Sequence, residues 1–340
     1  MLPATSAARP AMPPSSMEIT LRRAQRYAAL PEDILLVGPT GSGKGHLADY
    51  IHRASGRTGN FVAVSGGQLT KTLWSSQLFG HYAGAFTGAR GKLKGSFEQA
   101  TGGTLFLDEL HHWSKRLQSA LLRPLESRRF SPLGADRELS ATCRIVFATT
   151  MCPDQLVEQK VLLPDLRYRL PALILRLPPL CARKDEILPL LDQFTARILA
   201  SFKWEPARFR WAPSAVRGLL LHPWPGNIRQ LERVVKRALA QAGPEPICPI
   251  SVEDLELPFP PAGHLTALLD PPALQAAIVW ALKQTDGART EAADLLGIHR
   301  NTLATYSSPG FMAARPEAPD ALLGGLGGVE GGRYTLPESA

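Results

Sequence analysis

The chain has 340 residues, 44% of them hydrophobic, and a formal charge of +8. That length and apolar share suffice for one large domain of about 250 residues plus a smaller unit, and they exclude a globally disordered chain. The positive balance suits polyanionic partners such as nucleotide or nucleic acid. Four scattered cysteines (Cys143, Cys152, Cys181, Cys248) with no CxxC pair read as reduced, partly buried thiols rather than a zinc site or disulfide framework. No apolar run approaches the ~20 residues that span a bilayer, so the expectation is a cytoplasmic protein with no membrane partner. The opening MLPATSAARPAMPPSS has no apolar signal core.

Residues 1–17 are Pro-, Ala- and Ser-rich and read as a disordered leader. From 18 to 185, short apolar runs alternate with amphipathic stretches, the pattern of a parallel sheet flanked by helices. Strands are expected at DILLVG (33–38), FVAVSG (61–66), GTLFLDE (103–109), CRIVFATT (143–150) and LILRLP (173–178). Helices are expected at 43–55 and 114–127, the second kinked or ended early at Pro124, because an interior proline costs about 3 kcal/mol. Three or four helices follow over 186–250, including NIRQLERVVKRALAQA (227–242). A Pro-rich linker (251–270), a compact helical unit (271–306) and a Gly/Ala/Pro-rich tail (307–340), expected to be disordered, complete the chain.

GPTGSGKG directly follows a strand and opens a helix, the context a phosphate-binding loop requires. In a loop that includes Pro39, residues Gly38, Thr40, Gly41, Ser42, Gly43 and Gly45 would turn backbone N–H groups toward phosphate oxygens, with Lys44 reaching the β- and γ-phosphates. Gly45 stands where the strict motif has a Ser or Thr for Mg²⁺. Further on, GGTLFLDEL runs three apolar residues into Asp108 and Glu109 at a strand end, the usual address of ligands in open α/β sheets. Asp108 would hold the water shell of Mg²⁺ and Glu109 would polarise the attacking water. His111 and His112, adjacent on one element with no third ligand in view, read as surface or cap residues.

HYAGAFTGAR (81–90) contains no acid, cysteine or metal-ligand spacing, yet sets Phe86 between small residues. Its core GAFTGA, the preceding SSQLFGH, GSFEQATGGTLFLDE (95–109), LPPL (177–180) and WPGNIRQLERVVKRA (224–238) occur in order. Together they closely resemble the signatures of sigma-54-dependent transcription activators, a branch of the AAA+ ATPases, over roughly residues 18–245. The resemblance implies an α/β P-loop fold with a helical lid, ATP and Mg²⁺ as cofactors, and a ring, usually a hexamer, with nucleotide at subunit interfaces. It also implies a partner: Gly84, Ala85, Phe86, Thr87, Gly88 and Ala89 would protrude toward sigma-54 in the RNA polymerase holoenzyme, Phe86 making the contact and Thr87 supporting it. Arg229 matches the lid arginine that senses phosphate, and Arg169 matches one of two arginine fingers. Leu163 occupies the other finger's position, Ser65 stands where an asparagine restrains the glutamate, and Thr150 replaces the sensor asparagine. These departures bear on turnover more than on nucleotide binding.

GARTEAADLLGIHRNTL (287–303) resembles the helix-turn-helix of Fis-type DNA-binding domains. Gly297 would form the turn, and Arg300 and Asn301 would reach enhancer DNA in the major groove; a dimerising hairpin is the plainer alternative. SSPG (307–310) is expected to break the recognition helix early. The short leader leaves no room for a sensory domain, so regulation is expected from another protein, from expression level or from a module absent in this chain. The reading is an ATPase that remodels the sigma-54 polymerase closed complex and opens the promoter. Its alternatives are a poorly hydrolysing subunit of a mixed ring and, against the GAFTGA signature, a chaperone-type unfoldase.

Overall fold

The computed structural model describes residues 16–67, 73–87, 89–244, 249–257 and 269–307. The expected leader up to residue 15, Cys248, most of the linker and the tail beyond Ser307 lie outside them. The chain forms two compact units, and the break falls between Leu177 and Pro178, with α1 (Ser16–Ala28) entering the first unit from Thr20 onward.

The first unit is built on five parallel strands, β1 (Ile34–Val37), β2 (Phe61–Ser65), β5 (Thr104–Asp108), β8 (Arg144–Thr149) and β9 (Leu173–Arg176), in the order β2-β5-β8-β1-β9. Every residue of β1 and β8 is buried, which is why these strands read as unbroken apolar runs rather than alternating ones. Two small antiparallel hairpins, β3 (Gly80–His81) with β4 (Leu93–Lys94) and β6 (Arg129–Phe130) with β7 (Leu139–Ser140), leave the sheet as arms. The helices of this unit are α2 (Lys44–Ala54), α3 (Trp74–Phe79), α4 (Ser96–Gln99), α5 (Lys115–Ser127), α6 (Pro153–Glu158) and α7 (Pro164–Arg169).

Helix α5 runs on through Pro124 to Ser127, so the early end expected there does not occur. Pro124 sits in the final turn with its ring buried, so one lost N–H bond is offset by apolar burial. The buried Arg144 guanidinium is fully used at the end of α1, donating to the carbonyls of Tyr27 (2.6 Å), Ala28 (3.1 Å) and Glu32 (2.8 Å). It thereby ties the end of α1 and the turn that follows it to β8.

The second unit is helical: α8 (Ile187–Phe202), α9 (Pro213–Leu221), α10 (Asn227–Ala242), α11 (Pro271–Gln284), α12 (Arg289–Leu296) and α13 (Arg300–Tyr306). Fully buried Trp224 donates its indole N–H to the Leu219 carbonyl at 2.8 Å. One apolar core unites Leu191, Phe194, Leu219, Leu231 and Val235 of α8–α10 with Leu274, Ile278, Ala292, Leu296 and Leu303 of α11–α13. The reason lies in α11, which is apolar on nearly every side and buries eight of its residues. Two short helices cannot cover such a surface, so α11 shares the core of α8–α10. Gly297 ends α12 in the left-handed region (φ 63°) and turns the chain toward α13, which stops at Tyr306, as the SSPG break leads one to expect.

Candidate functional site

The carboxyl ends of β1 and β5 carry the residues expected to bind nucleotide. β1 delivers the chain into Gly38–Gly43, and Gly41 (φ 74°) and Gly43 (φ 100°) take left-handed conformations that side chains resist. Gly38 has no room for a side chain: an added Cβ would lie 2.9 Å from both Cβ and the carbonyl oxygen of Leu177. Gly45, by contrast, has room for one: an added Cβ would meet only the Phe106 ring, at an ordinary contact distance of 3.8 Å. Lys44 opens α2, is only 7% exposed, and folds back over the loop to donate to the carbonyls of Gly38 (2.8 Å) and Pro39 (3.2 Å). An ammonium held on carbonyls at the mouth of a glycine loop and at a helix N-terminus is poised to exchange those acceptors for phosphate oxygens.

β2 pairs with β5 so that Ser65 lies opposite Asp108. Glu109 leaves the strand in the left-handed region (φ 55°), its N–H donating to Asp108 Oδ1 at 2.8 Å. Ser65 Oγ donates to Glu109 Oε2 at 2.8 Å. The serine thus hydrogen-bonds Glu109 from the position where the resemblance supplies an asparagine. Thr150 follows β8 directly, half-buried, while the Thr149 carbonyl accepts from the Gly38 N–H at 3.1 Å and locks β8 to the loop. These groups fit a nucleoside triphosphate with a hydrated divalent cation: left-handed glycines, a positive end, and an acid pair at the strand tip.

The strand-end reading missed three participants. Trp113 clamps the turn after Glu109, its indole N–H donating to the Asp108 carbonyl at 3.0 Å. His112 is exposed, as expected, but His111 is half-buried and its Nδ1 is fully buried without a hydrogen-bond partner. Burial pushes the His111 imidazole below its ordinary range; His112 and Lys44 push the same way, while Glu109 and Asp108 oppose them. Glu126 pairs with Arg169, whose Nε donates to Oε1 at 2.6 Å, and a 43-residue separation gives no sequence signal for that pair. Leu163 packs against the apolar core, and its N–H donates to Oε1 of the buried Gln118 at 2.8 Å. Arg167 pairs with Asp154, and Tyr168 between the two arginines is 85% exposed.

The GAFTGA segment rides between β3 and β4. The Gly84 N–H donates to the Ala89 carbonyl (2.8 Å) and the Ala89 N–H to the Phe86 carbonyl (3.0 Å), closing a compact turn. Tyr82 and Leu133 brace it through Tyr82 N–H to Leu133 O and Leu133 N–H to Gly80 O, both 3.0 Å. Phe86 stays 37% exposed while its ring meets His81 edge-on at 5.1 Å. His81 is itself fixed by Ser76 Oγ at 2.7 Å from Nδ1. Ala85 is half-buried, Thr87 exposed and Ala89 buried; Gly88 lies outside the described residues. In the second unit Arg229 is exposed in the first turn of α10, and Arg300 and Asn301 are exposed on α13.

Comparison with known proteins decides the family. The Sigma-54 interaction domain matches residues 12–176, an AAA+ ATPase lid domain matches 182–260, and the Fis family of bacterial regulatory proteins matches 275–305. The transcriptional regulatory proteins FlbD of Caulobacter vibrioides and ZraR of Salmonella typhimurium are 33% and 34% identical, each over 89% of this chain; the matches span 71% and 69% of those proteins. The chain belongs to the sigma-54-dependent transcriptional regulators. The alginate biosynthesis regulator AlgB of Pseudomonas syringae pv. tomato is 37% identical over 85% of the chain, which spans only 64% of that protein's length. NtrX of Brucella abortus, solved with ADP, superposes with a TM-score of 0.65 at 26% identity over 90% of this chain and 68% of that one. Its ATP complex gives 0.63 over 93% and 69%.

The fold is thus that of the AAA+ branch expected from the sequence: parallel sheet, helical lid and C-terminal helix-turn-helix. Cys143 is buried and its thiol is pushed up to about 11 by burial, Cys152 is half-buried and Cys181 exposed. Among the described residues no group of three or more His, Cys, Asp or Glu side chains gathers for a metal, and no helix is long and apolar enough to cross a membrane.

Proposed function

We propose that this sigma-54-dependent regulator is an ATP-hydrolysing activator that uses its GAFTGA loop to remodel the polymerase closed complex. The observation that carries the reading is the joining of two devices on one α/β unit: the Lys44 glycine cradle facing Asp108 and Glu109, and Phe86 displayed on a braced turn. Bound ATP would rest its phosphates on the N–H groups of residues 40–45 and on Lys44, with Mg²⁺ waters on Asp108. Glu109, held aside by Ser65 until the phosphates arrive, would orient the attacking water. Arg169 would stabilise charge at a neighbouring protomer's nucleotide in a ring, Arg229 would sense phosphate from the lid, and Arg300 and Asn301 would contact enhancer DNA. NtrX, a structural relative, binds ADP and ATP, which supports the choice of nucleotide.

A second reading, a slow subunit of a mixed ring, draws on a specific observation. Leu163 packs into the core instead of offering a second finger, and Arg169 is engaged by Glu126 of its own chain. ATPase activity of the purified chain decides between them, with Lys44→Ala as the blank. The first reading expects turnover that rises with protein concentration as rings form. Turnover no higher than the blank at every concentration removes it and leaves the second.

A further inference from the structure

The helix-turn-helix has no net charge of its own. Residues 271–306 hold three cations, Lys283, Arg289 and Arg300, against three acids, Asp286, Glu291 and Asp294. Its second helix, α13, runs for only seven residues, about 10 Å, and Arg300 is its one cation. Non-specific binding to duplex DNA comes almost entirely from cations set against phosphates, so a unit balanced in charge needs phosphate contacts from beyond itself. The lid helix α9 places a cation beside it. Ala215, Val216, Leu219 and Leu220 of α9 are buried in the apolar core that also holds Ala292, Leu296 and Leu303 of α12 and α13. That packing lays Arg217, the only charged residue of α9, against the turn between α12 and α13. A Cβ added to Gly297 would meet Arg217 Nη1 at 2.8 Å and its Cδ and Cζ at 3.3 Å.

Gly297 and Arg217 are both exposed, and among the described residues the guanidinium has no hydrogen bond or ion pair. In a helix-turn-helix the first helix crosses the DNA backbone, and the second lies in the major groove with its N-terminal residues on the base edges. In α13 that end is fixed by His299, whose Nδ1 accepts the Asn301 N–H at 3.2 Å, and it exposes Arg300 and Asn301. Gly297 precedes Arg300 by three residues, a reach of at most about 11 Å, and the major groove is about 12 Å wide. A cation lying on that turn is within reach of the phosphates that wall the groove α13 enters. We propose that Arg217 extends the DNA interface onto the lid, its guanidinium meeting a backbone phosphate of the bound duplex. The proposal rests on reading α12 and α13 as a DNA-binding unit.

The test titrates a mixed-sequence DNA duplex with the full chain at several salt concentrations, and unfolds the same preparations in denaturant. Arg217→Ala is expected to weaken binding about fivefold and to make the slope of log affinity against log salt shallower by about 0.9, the loss of one phosphate contact. Arg217→Lys keeps the charge and should keep the wild-type slope, whereas Arg217→Glu should bind more weakly than the alanine variant. Arg217→Gln keeps a polar stem without the charge; it should match the alanine variant, and it replaces that variant if alanine fails to fold. A cation that served only the C-terminal end of α12 would lower the unfolding midpoint on removal and leave the salt slope alone. That result, or wild-type affinity in Arg217→Ala and Arg217→Glu, overturns the proposal. Arg300→Ala separates the two levels. If it binds the duplex with wild-type affinity and slope, the DNA-binding reading of α12 and α13 fails, and the role of Arg217 with it. If it binds weakly while Arg217→Ala binds like wild type, only the role of Arg217 fails.

Discussion

Two glycine-rich loops of the α/β unit, residues 38–45 and 84–89, are alike in composition and opposite in construction. In the first, the glycines serve the backbone. Gly41 and Gly43 take left-handed angles, Gly38 is walled in by Leu177, and the loop's one long side chain, Lys44, folds inward. In the second, Gly84 (φ 80°) faces open space, and the small residues clear a place for Phe86 to stand out from the turn. On the proposed reading, one loop closes around something small and charged, while the other offers an aromatic surface to something large. The first therefore announces its chemistry in its residues, while the second acquires meaning only beside its relatives.

Three perturbations sharpen this contrast, beginning with the largest. Lys44→Ala should reduce ATP affinity about 100-fold, read by titration calorimetry, because it removes a charge-assisted phosphate contact. Phe86→Ala should leave that affinity within about twofold. Next come the glycines. Gly43→Ala and Gly84→Ala should each cost about 1–2 kcal/mol in denaturant unfolding, since both positions are left-handed. Only Gly43→Ala should weaken nucleotide binding. Gly134→Ala belongs with the second loop: its Cβ would lie 2.9 Å from that of Ala85, so it should impair activation while sparing ATP binding.

The smallest effect is one of pH. His52, on the helix that the first loop opens, has Nδ1 2.9 Å from Thr104 Oγ1 and a pKa lowered chiefly by burial. His222, whose Nδ1 accepts the Trp224 N–H at 3.0 Å, is lowered by burial as well. Below the ordinary histidine value near 6.5 the unfolded chain binds protons that the folded chain refuses, so their contribution is full above that pH and is lost as pH falls toward the folded values. Denaturant midpoints should decline between pH 7 and pH 5, and His52→Gln should flatten part of that slope.

Much of the fold was legible before any coordinates. The five core strands fall within a residue or two of the apolar runs that signalled them, because strands buried on both faces need continuous branched apolar side chains. Asp108 and Glu109 were legible because a strand end is where a parallel sheet binds ligands. What escaped notice depends on pairings across distance. No local pattern joins Glu126 to Arg169, and Ser65 meets Glu109 only because the register sets it opposite Asp108. His111 looked like a surface residue because a pair of adjacent histidines carries no periodic signal, and a turn after a strand can bury one ring while exposing the next. Likewise α11 reads as part of a separate unit until its apolar surface is seen to exceed what α12 and α13 can cover.

The central claim is that hydrolysis and promoter opening are carried by different loops of one unit. Open-complex formation with sigma-54 polymerase, measured alongside ATP turnover for wild type and Phe86→Ala, tests it most directly. The account predicts that Phe86→Ala turns over ATP at a rate near wild type and forms no open complex. Open complexes formed by Phe86→Ala at the wild-type level would contradict it.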